Sequence, residues 1–68
     1  MTIETLKAET LQLIDKYPEL RTEFKDLFYL AISEIEEGGS ERHECDLASS
    51  DMQDLVEEFE KKNGKKFF

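Results

Sequence analysis

The chain has no tryptophan, one cysteine, one histidine, one proline and three glycines, and its longest apolar run is the six residues from Leu27 to Ile32. Each scarcity excludes something. A lone cysteine, Cys45, forms no internal disulfide. Small secreted domains are usually rich in disulfides, so the expected compartment is intracellular and cytoplasmic. Structural zinc wants four Cys or His ligands at fixed spacing, and one of each falls far short. A six-residue apolar run is far below the roughly 20 residues of a membrane span. The first residues carry Glu4 and no apolar stretch, which argues against a secretory signal.

Basic residues are also scarce. Nine Lys and Arg face 17 Asp and Glu, giving a formal net charge of -8 and a pI near 4.5. That sign is wrong for direct binding to nucleic acid, where Lys and Arg must meet phosphate. Gly38-Gly39 is not followed by the Lys and Ser/Thr of a phosphate-cradling loop. His43 and Cys45 are two residues apart, so on a helix their side chains diverge by about 200° and cannot act as a pair. No Glu lies three residues before His43, so the Glu-x-x-His pair of di-iron bundles is missing. The expectation is a protein that is not an enzyme and carries no cofactor.

What remains is a single domain of 68 residues with 38% hydrophobic residues, among them five Phe and two Tyr, placed at regular spacing. The proline and glycines divide it into three amphipathic segments. Ile3, Leu6, Thr10, Leu13, Ile14 and Tyr17 recur at steps of three and four, which predicts a helix over about 3–16 with Thr2 as its N-cap. Leu11 lies off that stripe as a second contact point. Pro18 disfavours helical geometry at Tyr17 but suits the start of a new helix, predicted over 18–37. Leu20, Phe24, Leu27, Phe28, Ala31 and Ile35 form its stripe, widened by Tyr29, Leu30 and Ile32. The stretch from Leu27 to Ile32 is therefore apolar around most of the circumference, more than two neighbouring helices cover.

Gly38-Gly39 ends the second helix, and Ser40 caps the third. Ser49, Ser50 and Gln53 resemble a capping box that would restart a helix at Asp51. Against that, Cys45, Ala48, Met52, Leu55, Val56 and Phe59 keep one helical phase across the serines. A single helix over about 41–62 is the preferred reading, with a weak point at Ser49-Ser50. The fold class is all-α: a small three-helix unit built on an antiparallel helical hairpin. Residues 63–68 form a short basic and aromatic tail.

The charge is not spread evenly. Residues 1–33 carry a net -2, residues 34–60 a net -10, and residues 61–68 a net +4. Three readings of the acidic segment stand side by side. It is a solvated face, a contact surface for a basic partner, or a nucleic-acid mimic that inhibits a DNA- or RNA-binding protein. The functional expectation is a small acidic protein–protein interaction module that self-associates, with a protein partner or a homodimer and no membrane. The residues expected to carry contact are Leu27, Phe28, Leu30 and Ile32, with Asp51, Asp54 and Glu58. A weak metal-binding hairpin is the remaining alternative.

Overall fold

The computed structural model describes residues 1–62; the tail over 63–68 lies outside the described residues. Three helices appear in the expected order: α1 (Ile3–Lys16), α2 (Arg21–Glu36) and α3 (Glu41–Lys62). They pack as a rod of 45 × 17 × 16 Å, an antiparallel α2–α3 hairpin with α1 folded back along it.

Local chemistry sets each boundary. The Thr2 hydroxyl accepts a hydrogen bond from the Thr5 amide at 3.2 Å and caps α1. Tyr17 leaves the helical region (φ -129, ψ 71), as the residue before a proline tends to do. The expected second helix begins differently from its sequence reading. Pro18–Leu20 form a 3-10 turn, and α-helical geometry starts at Arg21. The tighter turn closes with the Leu20 amide on the Tyr17 carbonyl at 3.0 Å, and it swings Leu20 into the core.

Gly38, at φ +108, supplies the left-handed residue after α2. The Gly39 amide donates to the Glu34 carbonyl at 2.9 Å and the Gly38 amide to the Ile35 carbonyl at 3.1 Å, the Schellman arrangement. Ser40 then caps α3, receiving the His43 amide on its hydroxyl at 3.4 Å. α3 runs without a break through Ser49-Ser50. Ser49 is buried there, so no helix restarts at Asp51.

The core is small. Leu6, Phe24, Cys45 and Met52 are fully buried, joined by Leu20, Ala31 and Ala48. α1 and α3 run parallel, and polar contacts tie them at several levels. Near one end, the Ile3 amide donates to the Glu41 carboxylate at 2.8 Å. Glu41 thus serves the positive N-terminal ends of both helices, which lie side by side. In the middle, the Ser49 hydroxyl donates to Glu9 at 2.7 Å. The buried Thr10 hydroxyl donates to the Leu6 carbonyl at 2.7 Å and lies 3.6 Å from Met52 Sδ. At the far end, the Tyr17 hydroxyl donates to Glu60 at 2.6 Å. The sequence places Glu60 on the polar side of α3; in the structure it is half-buried against Tyr17. No described buried side-chain nitrogen or oxygen is left without a partner. α2, by contrast, is held to the others through its apolar face, and it carries Tyr29, the most exposed aromatic among the described residues.

Candidate functional site

Tyr29 and Leu30 leave apolar surface of α2 exposed, and Leu30 lines a groove. Leu27, Leu30 and Ala31 on α2 face Leu47 and Ala48 on α3 across a groove of about 200 Å³. The two alanines are nearly buried and form a shallow floor. Leu30 is 57% exposed and Leu47 48% exposed, and they form the walls. Glu34, Glu44 and Asp51 line the same groove.

The hairpin turn positions part of this rim. The Glu34 carbonyl accepts from Gly39, and the side chain of Glu44 lies against Gly39. A β-carbon at Gly39 would approach the Glu34 carbonyl oxygen to 2.8 Å and Glu44 Cγ to 3.2 Å, so the turn needs glycine to bring the two acids to one end of the groove.

The remaining expected contact residues are distributed differently. Phe28 and Ile32 are half-buried and do not line this groove. At 100° per residue they lie on the flank of α2 turned away from Leu30. Phe28 packs against the core and meets the Tyr29 ring edge-on, with centroids 5.7 Å apart. Asp51, Asp54 and Glu58 are all exposed and stand in a row on α3, but they border different hollows. Asp51 borders the α2–α3 groove and Asp54 a wider depression of about 490 Å³ between α1 and α3, beside Tyr17 and Glu60. Glu58 stands beside Lys61 and Lys62.

Leu47 was not anticipated. It lies off the main stripe of α3 in an acidic stretch, and only the pairing of α3 with α2 sets it across from Leu30. Its signal in the sequence was a single leucine three residues from Glu44 and four from Asp51.

Among the described residues no cation pairs with the acidic groups of the groove. Among the described residues the one ion pair joins the Met1 amino group to Asp46 at 3.5 Å. Nor do they form a metal centre: no group of three or more His, Cys, Asp or Glu among the described residues is placed to hold an ion. His43 is exposed and Cys45 fully buried. Burial raises the Cys45 thiol pKa above its ordinary value, with the Glu41 carboxylate adding to the effect. A buried thiol held protonated is a poor nucleophile. The Tyr17 phenol is also raised, first by its hydrogen bond to Glu60 and then by desolvation. No described helix is long and apolar enough to cross a membrane.

Compared with protein-family models, curated proteins and solved structures, the chain matches none.

Proposed function

We propose that this protein is a small, non-catalytic protein–protein interaction module whose contact surface is the groove between α2 and α3. The observation that carries this reading is the composition of the groove: exposed Leu30 and Leu47 over an alanine floor, beside Glu34, Glu44 and Asp51, which have no ion pairs among the described residues. Apolar walls supply affinity through the area they remove from water. Unpaired carboxylates beside them select a basic partner and speed its approach. The fitting occupant is a protein segment with large apolar side chains next to Lys or Arg.

The acidic rim bears on self-association. Two copies meeting groove to groove would set Glu34, Glu44 and Asp51 against their own counterparts, and like charges at close range oppose that contact. A dimer would have to bring basic residues to the groove. The nucleic-acid-mimic reading draws on the net -10 of residues 34–60 and gives Leu30 and Leu47 no task.

Calorimetric titration of the full chain with a designed peptide of alternating leucine and lysine faces tests the proposal. Binding that weakens with salt, is abolished by Leu30→Glu or Leu47→Glu, and survives Leu11→Glu supports it. Binding insensitive to the two groove substitutions, or none at all, overturns it.

A further inference from the structure

The groove calls for aromatic or aliphatic side chains adjacent to cations, and this chain contains such a segment. Lys65, Lys66, Phe67 and Phe68 follow α3 after Asn63 and Gly64, and residues 61–68 hold four of the nine basic residues. Length decides whether a chain fills its own groove. Leu47 lies about 22 Å back from Lys62 along the axis of α3. Fully extended, six residues carry Phe68 at most about 22 Å beyond Lys62, which leaves nothing for a bend. The chain would also have to reverse direction, which shortens its reach further. A chain's own tail therefore falls short of the leucine walls, whereas the tail of another copy has no such restriction.

We infer that the α2–α3 groove receives residues 65–68 of a second copy of this chain. This rests on the groove being the contact surface proposed above, and it names the occupant. Phe67 and Phe68 cover the alanine floor between Leu30 and Leu47, while Lys65 and Lys66 meet Glu34, Glu44 and Asp51. Reciprocal insertion, tail to groove and tail to groove, forms a closed dimer with two equivalent contacts. It brings cations to a surface that would otherwise repel its own copy.

Sedimentation equilibrium on the full chain tests this, with circular dichroism confirming that each variant keeps its helices. The wild-type chain is expected to dimerise reversibly, more weakly at high salt. Phe67→Ala with Phe68→Ala, or Leu30→Glu alone, is expected to weaken dimerisation at least tenfold. A chain carrying Lys65→Glu and Lys66→Glu, mixed with one carrying Glu34→Lys and Glu44→Lys, is expected to form a heterodimer tighter than the first chain forms with itself. A strictly monomeric wild-type chain, or a dimer indifferent to the tail substitutions, would overturn the inference. The leucine–lysine peptide separates the two levels: its binding at the groove, with no effect of the tail on self-association, refutes the tail as occupant and leaves the interaction module standing. Failure of both removes both.

Discussion

The Tyr17 hydroxyl donates a 2.6 Å hydrogen bond to Glu60, forty-three residues away, while its ring meets Phe59 edge-on with centroids 5.9 Å apart. One side chain thus fastens the C-terminal end of α1 to the last turns of α3 by both its polar tip and its apolar body. Tyr17→Phe is expected to keep the ring contact and lose the hydrogen bond. Tyr17→Ala loses both. Thermal unfolding should rank them wild type, Tyr17→Phe, Tyr17→Ala, and equal midpoints for the two substitutions would contradict the ring's part.

The same contact makes a pH prediction. Tyr17 and Cys45 are both acids held protonated by the fold, with pKa values above the ordinary 10.0 and 9.0. A group whose pKa is raised on folding stabilises the fold fully below its ordinary value and loses that contribution as pH climbs through the raised one. Stability is therefore expected to decline from about pH 9 upward, through Cys45 first and Tyr17 after it. In a Tyr29→Phe background, tyrosinate absorbance should show Tyr17 titrating late. Glu60→Gln should bring it back toward the ordinary value, because the carboxylate is the leading cause of the shift. No movement with Glu60→Gln would contradict the assignment.

The Ser49–Glu9 bond accounts for a serine buried in the middle of α3. Ser49→Ala is expected to cost about 1.5–3 kcal/mol, the net worth of a hydrogen bond to a charged group. Ser50→Ala, one residue along and exposed, should stay within about 0.5 kcal/mol of wild type. Urea unfolding of both, with a double-mutant cycle against Glu9→Ala, measures the coupling directly. Equal effects at the two serines would mean that the α1–α3 bond contributes nothing.

Core and groove should separate cleanly. Phe24 is fully buried, and Phe24→Ala is expected to cost about 3–5 kcal/mol. At ~0.05–0.15 kcal/mol per residue a chain of this length has roughly 3–10 kcal/mol in all, so this variant should lose a large share of its stability. Leu30→Ala and Leu47→Ala should change stability by only about 0.5 kcal/mol while removing partner binding. Denaturant midpoints beside binding isotherms decide it. A large stability loss at Leu30 or Leu47 would recast the groove as part of the core.

The hairpin turn offers a further check. Gly38→Ala forces a side chain into a φ of +108 and is expected to cost about 1 kcal/mol or slightly more. Gly39→Ala must displace the Glu34 carbonyl, so it should disturb the rim as well. Gly39→Ala is therefore expected to weaken partner binding beyond its effect on stability, and Gly38→Ala to act on stability alone. Identical behaviour of the two variants would contradict the turn's part in shaping the groove.

The fold was largely legible in the sequence because its signals agree. Thr2, Pro18, Gly38 and Ser40 mark three boundaries, and the stripe from Cys45 to Phe59 outweighs the serine pair that suggests a break. The second helical segment starts at Pro18 as expected, but its first three residues form a 3-10 turn, which a proline after a corner accommodates as well as an α-helix. The site was half legible. Leu27, Leu30 and Asp51 could be chosen from apolar excess and charge. Leu47 could not, because its importance comes from the register of α3 against α2. Glu60 was misjudged for the same reason: its partner, Tyr17, lies on a different helix, and no period within α3 points to it.

The central claim is that Leu30 and Leu47 form a contact surface, and methyl spectra of the leucines in the full chain test it most directly. Leu11 provides the internal control, since it is 57% exposed, the same as Leu30, but lies on α1 away from the groove. On raising the protein concentration, or on adding the leucine–lysine peptide, the methyl resonances of Leu27, Leu30 and Leu47 are predicted to shift together while those of Leu11 stay in place. Shifts centred on Leu11, or spread evenly over all four leucines, would contradict it.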